Sequence, residues 1–159
     1  MNVKIIGAFF GVALLAACAS TPDTVATTNG SGTMATSSGI VPGSQEDLVA
    51  NVGDRVFYST NVSTLSSEDR GTLDKQSAWF GKYPANNVQV AGNCDERGTE
   101  EYNIALGQRR ANSARDYLVA KGVASSRITT ISYGKDRPVA LGSNEDAWHQ
   151  NRNAITSVR

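Results

Sequence analysis

Val88-Gln89-Val90-Ala91-Gly92-Asn93-Cys94-Asp95-Glu96-Arg97-Gly98-Thr99-Glu100-Glu101-Tyr102-Asn103-Ile104-Ala105-Leu106-Gly107-Gln108-Arg109-Arg110-Ala111-Asn112 is the stretch that decides the fold. Val88 to Ala91 alternates with the period of a strand. Gly92 to Gly98 is a turn rich in glycine and charge. From about Glu100 to Lys121 the apolar residues recur at helical spacing, and Gly122 supplies a C-cap. On a helical wheel, Leu106, Gly107, Ala111, Ala114, Tyr117 and Leu118 share one broad stripe, which should face a sheet. Arg109 and Arg115 fall outside this stripe, but Arg110 falls inside it. A guanidinium directed at a core cannot shed its proton, so it needs a carboxylate or several other acceptors. Asp95 and Glu96 lie in the loop that must fold back over the helix start. The expectation is therefore an Asp–Arg charge pair at the edge of the sheet.

Elements on either side complete the pattern. Arg55-Val56-Phe57-Tyr58 reads as a short strand. Ser66 with Asp69 three residues on starts a helix, Leu65 serves as its hydrophobic staple, and Tyr83-Pro84 stops it. Arg127 to Tyr133 reads as a third strand. Asn144 caps a short helix through His149, and Ala154 to Val158 forms a last strand. The fold class expected is α+β: a βαβαβ(α)β two-layer sandwich, with helices packed on a mixed four-stranded sheet.

The start of the chain speaks to its compartment. Lys4 precedes a charge-free apolar run from Ile5 to Ala17. That run falls short of the roughly 20 residues needed to span a bilayer, and it fits the core of a secretory signal. It closes on Leu15-Ala16-Ala17-Cys18, which resembles the bacterial lipobox. The resemblance implies cleavage before Cys18 and acylation of its thiol with fatty chains such as palmitate. Ala19 after the cysteine implies the outer membrane. Residues 1–17 are thus expected to be a signal peptide, 18–44 a lipidated cysteine with a flexible tether, and 45–159 a folded domain. The tether is mostly Thr, Ser, Gly and Ala, too poor in large apolar residues to offset its ordering entropy. With Cys18 acylated, Cys94 has no disulfide partner. It is either a small buried hydrophobe or a free reactive thiol.

With 15 basic and 15 acidic residues, the chain has no strong field to attract nucleic acid. A hydrolase would need a nucleophile with a base, a carboxylate pair or a metal. The lone His149 sits in the short last helix, Cys94 has no evident histidine partner, and no Cys/His cluster can hold zinc. Neither a cofactor nor a metal is expected, and a binding role fits better than an enzyme.

The run Gly92 to Thr99, followed by Tyr102 to Asn112, closely resembles the OmpA-like peptidoglycan-binding domain, in particular its peptidoglycan-associated lipoprotein branch. Ser132-Tyr133-Gly134-Lys135-Asp136-Arg137-Pro138 and Asn151-Arg152-Asn153 continue the resemblance, which covers nearly all of residues 52–159. It implies a non-catalytic protein that holds peptidoglycan and tethers it to the outer membrane, with TolB and TolA as partners in envelope integrity and cell division. It also implies that Asp95 and Arg110 grip diaminopimelate of the wall peptide, Asp95 taking the ammonium and Arg110 the carboxylate. Tyr58, Ser59, Asn61 and Leu65 match positions lining the same groove, and Arg97, Thr99 and Asn103 should edge it. Four positions depart from the family pattern. Asn93 stands for the usual His, Cys94 for Ala or Thr, Ser59 for an Asp of many relatives, and Asn153 for a second Arg.

Overall fold

A computed structural model describes residues 39–159. The expected signal peptide, Cys18 and most of the tether lie outside the described residues. The elements in chain order are α1 (Gln45–Asn51), β1 (Arg55–Phe57), α2 (Ser67–Lys82), β2 (Val88–Asn93), α3 (Glu100–Ala120), a 3-10 turn (Ser125–Arg127), β3 (Ile128–Gly134), α4 (Glu145–Asn151) and β4 (Asn153–Val158).

The four strands form one mixed sheet in the order β1-β4-β2-β3. β2 and β3 run parallel, with α3 as the crossover between them, as a parallel connection requires. β4 inserts between β1 and β2 and is antiparallel to both. This insertion brings Arg152, just before β4, beside Tyr58, just after β1, where the Tyr58 N–H donates to the Arg152 carbonyl.

Local signals account for the helix starts. At the head of α2, Ser66 accepts from the Asp69 N–H, while the Asp69 carboxylate accepts from the Ser66 N–H, a complete capping box. Asp69 also accepts from the Phe57 N–H at 2.8 Å, so the same side chain ties α2 to the outer edge of β1. Thr99 caps α3 and Asn144 caps α4. Leu48, Val56, Leu73, Phe80, Val88, Val90, Ala111, Ala114 and Leu118 fill the core between helices and sheet.

The α+β sandwich stands as expected, with one addition. Ser44 caps α1, a helix absent from the βαβαβ(α)β pattern read from the sequence. Its seven residues carry too few apolar positions to show a period, and tertiary contacts hold it instead. Leu48 is fully buried, and Asp47 accepts from the Trp79 indole N–H at 2.9 Å. β1 ends at Phe57 rather than Tyr58, while β2 and β3 run on to Asn93 and Gly134.

Two glycines seat α3 close against the sheet. A Cβ on Gly92 of β2 would collide with the Gly107 carbonyl of α3, and one on Gly107 would collide with Ser132 Oγ. This near-contact of backbones brings the Arg110 side, one turn after Leu106, down onto the end of β2.

Candidate ligand-binding cleft

Where β2 ends, the chain turns through Cys94 to Gly98 before α3 begins. Gly98 adopts a left-handed φ of 87°, which lets Thr99 cap the helix directly after it. Opposite this loop, the chain after β1 makes a turn closed by the Val62 N–H to the Ser59 carbonyl at 3.2 Å. Asn61 lies in that turn with a φ of 58°, a conformation asparagine tolerates better than most side chains. Between the two loops and the first half of α3 lies a cleft of about 280 Å³, lined by Thr60, Asn61, Cys94, Asp95, Arg97, Gly98, Tyr102, Asn103, Leu106 and Arg110.

Arg110 is 1% exposed. Among the described residues it has no carboxylate within ion-pair distance, so the expected Asp95–Arg110 bond does not form. Backbone carbonyls take the carboxylate's place. Nε donates to Val62 O at 2.9 Å, Nη1 to Asn93 O at 2.9 Å and Nη2 to Ser59 O at 3.0 Å. Nη1 also reaches the Cys94 sulfur at 3.4 Å. One N–H of the five on a guanidinium is left without a partner among the described residues. Burial pulls the Arg110 pKa below the usual arginine value, and the group stays charged because arginine titrates far above neutral.

Asp95, 7% exposed, pairs instead with two other arginines. Its Oδ1 accepts from the Arg97 backbone N–H and Nε, each at 3.1 Å. Its Oδ2 accepts from Arg97 Nη2 at 2.6 Å and from Arg152 Nη1 at 3.3 Å. Burial acts to raise the carboxyl pKa, but the bonds from Arg97 and Arg152 outweigh it and leave the group below the ordinary aspartate value. Arg152 is itself fixed, donating to Tyr58 O at 3.0 Å and to Glu145 Oε1 at 2.7 Å. Arg97 also stacks on Trp148, whose indole N–H donates to Glu96.

The residues read from the sequence thus divide into groups. Asp95, Arg110, Asn61, Arg97 and Asn103 line one cleft. Asn103 donates to the Arg97 and Thr99 carbonyls, which holds the loop onto α3. Thr99 itself is the helix cap. Tyr58 lies beneath Arg110: its hydroxyl donates to Arg110 O at 2.9 Å, and its ring is 5.2 Å from the guanidinium carbon. Burial pushes the Tyr58 pKa up to about 12. Ser59 contributes its carbonyl to Arg110. Together with Tyr58 it lines a neighbouring cavity of about 380 Å³ that also includes Asp69 and His149. His149 stacks on Phe57 there, with ring centroids 5.3 Å apart. Leu65 belongs to the core. Cys94 is buried, and its thiol donates to Asn103 O; desolvation raises its pKa, which makes it a neutral, poorly reactive wall residue. Sequence reasoning missed Arg152 and Trp148. Arg152 stood in the Asn151-Arg152-Asn153 stretch that carries the family resemblance but was given no role there, and Trp148 showed only as an aromatic in the short last helix.

The cleft therefore presents a buried cation, Arg110, beside a buried anion, Asp95, on a polar rim. The OmpA family profile matches residues 57–152, from the end of β1 to the Arg152 that braces Asp95. The chain belongs to the OmpA family. It is 50% identical over 115 residues to the peptidoglycan-associated lipoprotein of Rhizobium meliloti (strain 1021), a match covering 72% of this chain and 65% of that protein. It is 51% identical over 117 residues to the protein of the same name from Mesorhizobium japonicum, covering 74% of this chain and 70% of that one. Among solved structures, the peptidoglycan-associated lipoprotein from Burkholderia pseudomallei superposes with a TM-score of 0.65 at 35% identity, over 67% of this chain and 90% of that one. The C-terminal domain of Helicobacter pylori MotB superposes at 0.63 with 17% identity, over 67% of this chain and 84% of that one, and shares the fold alone. The OmpA-family segment thus contains every residue of the cleft.

Proposed function

We propose that this OmpA-family chain is a non-catalytic outer-membrane lipoprotein that binds peptidoglycan and tethers the membrane to the wall. The observation that carries the reading is the opposed pair of buried charges in one cleft: Asp95, and Arg110 with one N–H left without a partner among the described residues. Diaminopimelate carries an ammonium and a carboxylate on one carbon. Its carboxylate meets the Arg110 guanidinium, which makes no salt bridge among the described residues. Its ammonium meets Asp95. Asn61, Arg97 and Asn103 edge the bound peptide, Tyr58 and Ser59 hold Arg110 in place, Leu65 supports their loop from the core, and Thr99 fixes the start of α3. The names of the relatives support the wall as ligand, since they state an association with peptidoglycan and no reaction.

In this reading the lipobox-like Leu15-Ala16-Ala17-Cys18 supplies a lipid anchor at Cys18, facing the periplasm from the outer membrane. Residues 18–44 span the gap to the folded domain at 45–159. TolB and TolA are the protein partners, in envelope integrity and cell division. The deciding experiment is a pull-down with purified sacculi, with and without added diaminopimelate. Retention that diaminopimelate competes away is expected, and failure to sediment with sacculi sinks the reading. Release of soluble wall fragments would show a wall-modifying enzyme instead. A pull-down with TolB tests the partner separately, because a wall-binding lipoprotein without Tol partners would pass the first experiment and fail the second.

A further inference from the structure

The Asp95 carboxylate already accepts four hydrogen bonds: two on Oδ1 from Arg97, and one each on Oδ2 from Arg97 and Arg152. Four is about the full capacity of a carboxylate. A ligand cation that approaches Asp95 therefore has to displace one of the two guanidinium groups. They are not equally free to leave. The Arg152 side chain is 4% exposed, and departure would also break its bonds to Tyr58 O and Glu145. The Arg97 side chain is 39% exposed. It already rests on the Trp148 ring, 4.1 Å from the centroid, and Nη2 lies 3.4 Å from Thr60 Oγ1, so it keeps partners if it releases Asp95.

We propose that Arg97 is an internal competitor: in the free protein its guanidinium fills the cation position on Asp95, and a ligand ammonium must displace it. This rests on the wall-binding reading above and adds a specificity-determining role. A ligand with an ammonium can take over the carboxylate that Arg97 gives up. A ligand without one cannot, because displacement would leave Asp95 as a buried, half-paired charge. Such a ligand binds with Arg97 still in place. Arg97 thus holds affinity down for the ammonium-bearing ligand and keeps its attachment reversible.

The test is calorimetric titration with two probes: the stem tripeptide L-Ala-γ-D-Glu-meso-diaminopimelate, and the same peptide with the side-chain amine acetylated. The proteins are wild type, Arg97→Ala and Arg97→Lys, each first shown to be folded by circular dichroism. Arg97→Ala should bind the free-amine peptide about two- to fivefold tighter than wild type does, the range set by a partly exposed ion pair. Its affinity for the acetylated peptide should be unchanged or lower. Arg97→Lys should fall between wild type and Arg97→Ala. Equal or weaker binding of the free-amine peptide by Arg97→Ala, with wild type still binding, would overturn the competitor role and leave wall binding standing. Tightening for both peptides alike would also overturn it, because the ammonium would then play no part. If wild type binds neither peptide, the wall-binding reading itself fails.

Discussion

Asp95 and Arg110 line the same cleft without bonding to each other. Each is held by other groups. Arg110 is held by the carbonyls of Ser59, Val62 and Asn93, and Asp95 by Arg97 and Arg152. A bond between the two would have tied the Arg110 fork to a carboxylate; instead Arg110 is held by carbonyls that leave its charge unpaired, and Asp95 is held by arginines. Keeping them apart leaves a separate cation and anion, each already desolvated and oriented. The desolvation cost is then met on folding rather than on binding.

Arg110→Lys tests how far Arg110 depends on its fork rather than its charge. A lysine keeps the charge, but one ammonium cannot reach three carbonyls spread over the Ser59–Val62 turn and the end of β2. A buried carbonyl left unpaired costs about 1–3 kcal/mol. Urea unfolding should show the variant destabilised by about 2–4 kcal/mol, with sacculus binding lost. A variant as stable as wild type would mean the carbonyl cage contributes little.

Arg152→Ala removes the fixed brace on Asp95 without touching the wall of the cleft. Titration of the Asp95 carboxyl by NMR should move up toward the ordinary aspartate value, since one of the bonds that lowers it is gone. Sacculus binding should fall with it. An unchanged Asp95 titration would show that Arg97 alone sets the carboxylate's state.

Much of this was legible in the sequence, for physical reasons. The Ser66–Asp69 capping box, the alternation of Val88 and Val90, and the helical stripe from Leu106 to Leu118 are local patterns, and the structure follows them. The stripe also exposed Arg110 as a cation on an inward face. Its partners were not legible, because every residue carries a carbonyl and no residue type marks the ones that Arg110 finds. Nor was the Asp95–Arg152 bond, between positions 57 apart, since it depends on β4 entering the sheet between β1 and β2. α1 escaped notice because Leu48 and a capping Ser44 are too little pattern for a seven-residue helix.

The pH response follows from the same groups. Asp95 has a lowered folded pKa, so its stabilising contribution is complete above the unfolded value of about 3.8 and is lost as pH falls through the still lower folded value. The cleft lining contains no histidine. Sacculus binding should stay level between about pH 5 and 8 and fail only in strong acid. A change of affinity centred near pH 6.5, the usual range of histidine, would contradict this. Tyr58 acts at the other end. Its folded pKa is raised from 10.0 to about 12, so its contribution is full below pH 10 and is lost as pH rises toward 12. Tyr58→Phe should remove that alkaline loss and lower stability at neutral pH by about 1 kcal/mol for its bond to Arg110 O.

The seat of α3 gives the last prediction. At Gly92 an added Cβ meets backbone, the carbonyl of Gly107, which cannot rotate aside. At Gly107 the nearest obstacle is Ser132 Oγ, a side-chain atom that can turn away, with Gly92 O the next at 2.8 Å. Gly92→Ala must push α3 off the sheet, and the push falls one turn from Arg110. Overpacking of this kind typically costs about 1–3 kcal/mol. Gly92→Ala should therefore be the more destabilised of the two in urea, and should lose sacculus binding as Arg110 is drawn away from its three carbonyls. Gly107→Ala should lose less stability, and Ser132→Ala should recover part of that loss by removing the movable obstacle. If Gly107→Ala proves the worse variant, or Ser132→Ala restores nothing, then close backbone packing of α3 on β2 is not what positions Arg110.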